Sequence, residues 1–258
     1  MRSTILVGCS LILALALGAC TTYVTPGRAA DFRALGITKE AAAGRTDYSI
    51  ADKLDKRPLA AFPASIAVAR VQGSGYYSHS ERAFGSGRFS VVTTRTVETE
   101  EHIKAITSLP MVRAVAMLNR LVLPGTLNTE KDLREAAAAV QADMLLVYTF
   151  DTVFDTGTTI PALGTITLGL FPNQKASVTT TASAALIDTR NGYIYGLTEA
   201  GATDTQLANA WTSREAVDDC RKRCEKQAFA RVVGEFSTLW AGVLAQYGPA
   251  SVPAGGAR

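Results

Sequence analysis

The thiols near the C-terminus are the first side chains in this sequence with a spacing that could support chemistry. Cys220 and Cys224 lie four residues apart, which places both on one face of a helix. Two states fit this pattern. One is a disulfide, strained within a single helix because bridge geometry is narrow, or else joining two chains. The other is a pair of buried thiols that pack as small apolar side chains. Metal ligation by two thiolates with no histidine nearby is disfavoured.

The remaining candidates do not form a catalytic set. His79 and His102 have no partner at metal-ligand spacing, and G-x-S-x-G, P-loop and H-E-x-x-H motifs are absent from the sequence. The Gly73–Gly75 stretch lacks the third glycine and the following helix of a dinucleotide-binding loop. Asp151 and Asp155 flank a predicted strand end, where ligands often bind in α/β folds, but their spacing is also typical of a solvated turn. We therefore predict a non-enzymatic protein without metal or cofactor.

A further reactive cysteine follows the apolar N-terminus. Arg2 precedes an apolar run, Ile5–Ala19, which is typical of a secretory signal and shorter than the about 20 residues of a transmembrane helix. Residues Leu17–Cys20 resemble the lipobox of bacterial lipoproteins. The resemblance implies that residues 1–19 are a cleaved signal peptide and that Cys20 then carries lipid. The alternative is an ordinary secretory signal, with Cys20 as a plain thiol.

Lipidation of Cys20 would make the membrane a partner of the protein. One acyl chain binds a bilayer only reversibly, but bacterial lipoproteins, which this N-terminus resembles, carry two or three. Thr21 follows the cysteine where an Asp usually signals inner-membrane retention, so the resemblance implies the periplasmic face of the outer membrane. That compartment is oxidising, which keeps the disulfide alternative for Cys220 and Cys224 open.

Composition and patterning divide the rest of the chain. The net charge is +3, charged residues make up 19% of the chain, and no basic run alternates with aromatics, so we expect no nucleic-acid partner. Residues 20–62 have few apolar positions and no sustained period, which predicts a tether. Residues 63–247 are predicted to form a periplasmic α/β domain, and residues 248–258, rich in Pro, Gly and Ala, a disordered tail.

Apolar alternation and β-branched residues predict the strands of the domain. The Asn191–Gly192 pair predicts a hairpin turn between the last two, because both turn residues favour positive φ. The predicted strands are 63–71, 88–97, 120–124, 142–150, 176–187 and 193–203.

Helical periodicity predicts three helices. They cover 98–121 with a break at Pro110, about 129–141, and a long C-terminal stretch that begins at the capping pair Thr212 and Glu215. The last helix is amphipathic, with the apolar stripe Val217, Cys220, Cys224, Ala228, Val232, Phe236, Leu239, Val243 and Tyr247. The predicted fold is an α/β sandwich in which helices cover one face of a mixed sheet.

Two short motifs suggest a family for the domain. Within Leu133–Gly196, a helix is followed by "ADMLLVYTF" and then by a strand that ends "LIDTRNGYIYG". This block resembles the shared α/β domain of the curli-secretion channel lipoproteins, the lipoprotein activators of peptidoglycan synthases and the N-terminal domain of TolB. The resemblance implies a periplasmic binding role. The predicted strand at 88–97 departs from the usual order of that group.

An uncharged stretch, residues 156–174, separates two predicted strands. Exposed apolar residues on a soluble domain usually mark a contact site, and packing against the domain's own sheet is the alternative. In the curli-channel family, insertions at comparable connections build a membrane barrel, although this one is short because each spanning strand needs about 9–11 residues. The candidate contact residues are Ile160, Leu163, Ile166, Leu168, Leu170 and Phe171.

Two functions remain from the sequence. The favoured hypothesis is a lipid-anchored, non-enzymatic periplasmic module that binds an envelope protein or a peptidoglycan-associated partner, or its own copies as a homo-oligomer. The alternative is a subunit of an envelope secretion or transport assembly that uses residues 156–174 for membrane or partner contact.

Overall fold

The computed structural model describes residues 29–30, 53–78, 80–158, 174–208 and 213–249. Within these ranges, the chain forms strands in short runs that are separated by helices. The strands are β1 (Ala64–Gly73), β2 (Ala83–Phe84), β3 (Ser86–Gly87), β4 (Phe89–Val92), β5 (Val112–Met117), β6 (Thr126–Leu127), β7 (Met144–Thr158), β8 (Gln174–Asp188) and β9 (Ile194–Ala208). The helices are α1 (Glu100–Thr107), α2 (Glu130–Ala139) and α3 (Ser213–Tyr247).

Seven of the described strands form one mixed sheet around β1. The order is β2-β4-β1-β7-β8-β9, and β5 also pairs with β1. β1 runs parallel to β7, with Ile66 opposite Met144. Its first half, from Ala64 to Val68, also pairs in parallel with β5. Its second half, from Arg70 to Gly73, pairs with antiparallel β4.

Helices cover both faces of this sheet. One core contains Ile66, Val68 and Leu146 together with residues of α3. The second core contains the alternate strand residues Ala67 and Leu145 together with residues of α2, because successive strand side chains point to opposite faces. The predicted α/β fold, with a mixed sheet and a long C-terminal helix, is confirmed. The expectation that helices cover one face is corrected, because α2 packs on the other.

Three 15-residue strands, β7, β8 and β9, form a long antiparallel meander. β7 and β8 remain paired from Met144–Asp188 to Thr158–Gln174. The turn between β8 and β9 contains Asn191–Gly192 as predicted, and Gly192 has a φ of 73°, a conformation that glycine adopts without steric cost.

The C-terminal helix α3 is the main cover of the meander. The apolar stripe predicted from the sequence faces the sheet, and Leu239 and Tyr247 pack at its margin. By length and composition alone, Val217–Tyr247 could cross a membrane. Since its apolar face is buried against β8 and β9, we interpret it as a core helix. The buried members of the stripe are Val217, Cys220, Cys224, Ala228, Val232, Phe236 and Val243.

Two predictions near the middle of the chain are wrong. The helix predicted for 98–121 ends at Thr107 and is followed by strand β5. Pro110 provides no backbone N–H and disfavours a helical conformation at the residue before it, and the following Val112 pairs with β1 instead. The predicted strand at 120–124 forms a turn, in which Leu121 is 93% exposed.

Two parts of the segment predicted as a tether lie against the sheet. Ala29 forms an antiparallel bridge to Gln72, and the backbone N–H of buried Ala30 donates to Thr149 Oγ1 at 2.9 Å. Further along, the N–H groups of Leu59 and Ala60 both donate to the Oδ2 atom of Asp188 in β8, at 2.7 and 2.8 Å. The chain therefore touches the domain well before β1 begins.

Candidate functional site

Two arginines and two glutamates form a closed ring beneath the N-terminal half of α3. Arg70 contacts Glu81 at 2.8 Å and Glu225 at 3.1 Å. Arg221 contacts the same two carboxylates, at 3.1 Å and 2.8 Å. Two further carboxylates lie against them, Glu98 at 3.8 Å from Arg70 and Asp218 at 3.1 Å from Arg221. Each arginine thus meets both Glu81 and Glu225, and these two arginines and two glutamates form the ring. We call these four side chains the charge ring.

The secondary structure brings the four side chains together from distant parts of the sequence. Arg70 lies on the same face of β1 as Ile66 and Val68, which points it toward α3. Arg221 and Glu225 are one helical turn apart on α3 and therefore project from the same helix face. Glu81 lies in the connection between β1 and β2. The charge ring therefore joins a strand, a connecting loop and the last helix.

Neighbouring polar and aromatic groups complete the coordination of the ring. The Tyr76 hydroxyl donates to Glu81 at 2.6 Å, and Thr96 also donates to Glu81. The Thr152 hydroxyl donates to Glu225 at 3.3 Å. The guanidinium of Arg70 lies over the ring of Phe150, 4.6 Å from its centroid, a cation–π arrangement.

Burial and ion pairing set the charge states in the ring. Burial disfavours the charge on Arg70, but Glu225 and Glu81 outweigh it and raise the pKa of this arginine. Burial raises the pKa of Glu225 against the opposing effect of Arg70 and Arg221. Burial also raises the pKa of Glu81, but Arg70 and Arg221 outweigh this effect and lower the pKa to about 2. The stability that ionised Glu81 contributes is therefore complete above its ordinary pKa and is lost as the pH falls toward 2.

A shallow open groove of about 900 Å³ lies beside the ring, along the start of α1. Glu98 lies in its lining together with Arg95 and Lys104. One carboxylate oxygen of Glu98 accepts a 2.6 Å hydrogen bond from Tyr148. Its other oxygen is buried and has no hydrogen-bond partner within the described part of the chain. Among the described residues, no group of three or more His, Cys, Asp or Glu side chains is placed to hold a metal ion.

The cysteines of α3 are thiols rather than a disulfide in the structure. Both are fully buried, and Cys224 Sγ donates to the carbonyls of Val178 and Ala202 at 3.2 and 3.1 Å. Burial raises the pKa of Cys220 to about 11, so its thiol stays protonated at neutral pH. The disulfide that the sequence left open, within one chain or between two, stays a prediction.

Among the other residues singled out in the sequence, the structure describes the side chains of His102 and Asp151. His102 accepts a 3.3 Å hydrogen bond from the Thr99 N–H at the start of α1, and burial lowers its pKa, so it acts as a helix cap. Asp151 is exposed. His79 and Cys20 lie outside the described residues, as do the six candidate contact residues between 159 and 173: Ile160, Leu163, Ile166, Leu168, Leu170 and Phe171.

The charge ring itself was missed in the sequence analysis. Its signal was available in Arg70, a charged residue in the otherwise apolar strand sequence IAVARV. A cation at a buried strand position requires a carboxylate partner. The sequence contains 23 acidic residues and does not indicate that Glu81 and Glu225 are the two that meet it.

Comparisons with known proteins reveal remote structural similarity. No protein-family model matches the chain, and no curated protein matches it. A protein from Xanthomonas campestris is 11% identical over 72% of this chain and 92% of its own, with a TM-score of 0.35. Lipoprotein GNA1162 from Neisseria meningitidis is 14% identical over 71% and 99%, with a TM-score of 0.25. PelC from Paraburkholderia phytofirmans, a dodecamer, is 12% identical over 68% and 91%, with a TM-score of 0.26.

Proposed function

We propose that this chain is a lipid-anchored module of the bacterial cell envelope that acts by binding another envelope component rather than by catalysis. The observation that carries the proposal is the sequence Leu17–Cys20, which follows an apolar run and places a cysteine directly after small residues. Lipid on Cys20 would hold the α/β domain at a membrane surface, on the periplasmic side of the outer membrane. The partner would be an envelope protein or a peptidoglycan-associated component.

The described side chains support a binding role for the domain. The ionisable groups buried beneath α3 are engaged with one another in the charge ring, where their contacts stabilise the fold. His102 is engaged as a helix cap. These groups therefore serve the architecture, and the surface and the connections of the sheet are available for recognition.

Replacement of Cys20 tests the proposed anchor. The native protein, expressed in a host with a lipoprotein-processing pathway, is expected to float with membranes and to carry an acyl mass on its N-terminal peptide. The Cys20→Ser variant is expected to appear in the soluble periplasmic fraction without that mass. Cys9→Ser is the matched control, because Cys9 lies in the predicted signal peptide and its loss should leave lipidation unchanged. A native protein without acyl mass would contradict the anchor.

The second candidate function is a subunit of an envelope secretion or transport assembly. The observation that favours it is the pairing of β7 with β8 out to Thr158–Gln174, which places the uncharged connection at one end of a long, regular hairpin. Size-exclusion chromatography with light scattering on the detergent-solubilised protein distinguishes the two functions. A closed oligomer of defined size would support the assembly subunit, whereas a monomer would favour the binding module.

A further inference from the structure

The bridge at Ala29 fixes the place where the N-terminal linker joins the domain. Ala29 pairs with Gln72 near the end of β1, and the Ala30 N–H donates to Thr149 of β7. The Thr149 hydroxyl in turn donates to the Gln72 side chain at 3.4 Å. All three of these partner residues, Ala30, Gln72 and Thr149, are buried, so this is a packed junction. We call it the linker junction.

The direction of the bridge shows from which side the linker arrives. Ala29 pairs with Gln72 in the antiparallel sense, so the chain at Ala29–Ala30 runs from the C-terminal end of β1 toward its N-terminal end. β7 runs parallel to β1 and continues past it in this direction. The linker therefore reaches the domain from the end of the sheet at which β7 projects.

The lengths of the linker and of the projecting strands match. Nine residue steps separate Cys20 from Ala29, and at full extension they span at most about 32 Å. β7 also continues nine residues beyond Thr149, to Thr158, which corresponds to about 30 Å of strand. A lipid on Cys20 can thus lie no further out than about the tip of the projecting strands.

We propose that the projecting part of the meander faces the lipid bilayer that holds the acyl chains of Cys20. This surface, the distal ribbon, comprises residues 151–158 of β7, 174–181 of β8 and 201–208 of β9. The inference rests on the proposed lipid anchor and adds to it an orientation: the short linker holds the C-terminal end of β1 toward the membrane. The opposite end of the sheet, with the turn at Asn191–Gly192, points into the periplasm.

The exposed face of the distal ribbon has a chemistry suited to a headgroup layer. Thr179 and Thr203 are exposed and share a hydrogen bond at 3.0 Å, and Val153 is 63% exposed. Hydroxyl groups can exchange hydrogen bonds with lipid headgroups and water alike. At the opposite end, Arg113 and Arg190 form exposed ion pairs with Asp143. The distal ribbon also carries charge, because Asp204 pairs with Arg223 at 2.7 Å and Asp151 is exposed. The two ends of the sheet are therefore distinguished by their distance from the linker junction.

Two labelling positions on one strand test the orientation. Thr203 and Leu197 are both exposed and lie on the same face of β9, six residues and thus about 20 Å apart. Thr203→Cys and Leu197→Cys are labelled with a fluorescent maleimide, with the unmutated protein as the control for any reaction of Cys220 and Cys224. The lipidated proteins are incorporated into vesicles of phosphatidylethanolamine and phosphatidylglycerol that contain an energy acceptor on a fraction of the headgroups. Transfer from position 203 is expected to exceed transfer from position 197.

A longer linker provides the matched control for this experiment. Insertion of twenty Gly and Ser residues between Thr22 and Tyr23 keeps Cys20 and the linker junction but adds about 25 Å of flexible chain. The difference between the two labels is expected to disappear in this variant. Equal transfer with the native linker, or stronger transfer from position 197, would each overturn the orientation. A difference that survives the insertion would overturn the claim that the short linker sets it. Protein that fails to float with the vesicles would instead refute the lipid anchor itself.

Discussion

Arg70 and Arg221 show how strongly single residues can constrain this fold. Their side chains are 1% and 0% exposed, and the glutamates that they contact are buried as well. Removal of a charge from water costs several kcal/mol even after relaxation, and the ion pairs offset this cost only while all partners are present. A single substitution in the charge ring is therefore expected to destabilise the fold, because the loss of one member leaves buried charges unpaired.

Arg221→Met and Lys222→Met compare a buried with an accessible cation at adjacent positions of α3. Arg221→Met leaves Glu81 and Glu225 with one cation, and we expect it to lower the free energy of unfolding by about 3–5 kcal/mol. Lys222 pairs with Asp218 at 2.8 Å and its side chain is 31% exposed, so Lys222→Met should cost at most about 1 kcal/mol. Urea unfolding followed by circular dichroism measures both values, and similar losses in the two variants would contradict the role assigned to the ring.

Side-chain partners were harder to predict from the sequence than side-chain burial. The stripe of α3 was predicted residue by residue, because burial follows from helical period alone. The partners of Arg70 were not predicted, because Glu225 lies 155 residues away and no local pattern indicates which carboxylate will reach a given strand. The function of Cys20 remains a prediction, since that residue lies outside the described residues.

At the level of the elements, long strands and helices were predicted well and short ones poorly. The strands predicted at 142–150, 176–187 and 193–203 are present as β7, β8 and β9 and are longer than expected, because the alternation fades into Thr-rich sequence before the strands end. The strand predicted at 88–97 is reduced to Phe89–Val92. The sequence of β5 predicts a helix, because its apolar residues fit the helical period as well as the strand period. Only the pairing with β1 distinguishes the two structures.

Gly234→Ala tests whether a glycine in the interior of α3 lowers the stability of the domain. Gly234 is exposed in the interior of α3, and a Cβ at this position would contact nothing within 4 Å. Alanine at an exposed helix-interior site is expected to raise the free energy of unfolding by about 0.5–1 kcal/mol. Thermal unfolding would show this as a higher Tm.

Gly87→Ala should have the opposite effect and is the contrasting variant. Gly87 has a φ of 109°, and a Cβ there would meet the carbonyl oxygen of Leu127 at 2.5 Å. Both the backbone strain and the clash are expected to lower the stability by about 1–3 kcal/mol. An unchanged Tm in both variants would show that neither backbone position limits the stability of the domain.

On the scale of the whole molecule, a buried aspartate secures the chain that leads into β1. One carboxylate oxygen of Asp188 accepts hydrogen bonds from the N–H groups of Leu59 and Ala60 and from the Tyr195 hydroxyl. The other oxygen accepts from the N–H of Arg190 in the β8–β9 turn. Asp188 therefore joins the entry segment to the turn, and the part of the predicted tether next to the domain is fixed.

Replacement of Asp188 is expected to release this entry segment. Asp188→Ala removes the acceptor of the part-buried Leu59 N–H and one of the two acceptors of the Ala60 N–H, which also donates to the Tyr195 hydroxyl. We expect a loss of about 1–3 kcal/mol in the free energy of unfolding. Limited trypsin digestion should then cleave faster after Lys53 and Lys56, which precede the anchored residues. Asp151→Ala changes an exposed aspartate of β7 and serves as the control. Cleavage at equal rates in both variants would show that Asp188 does not hold the segment.

The position of α3 at the end of the domain has a consequence for the order in which the chain can fold during synthesis. Arg70 is made early, and its contact with Glu225 can form only after 155 further residues have been added. The β7–β9 meander likewise exposes an apolar face until α3 emerges to cover it. An incomplete chain therefore lacks the cover of its largest apolar sheet face, which stays accessible to chaperones until the last helix has been made.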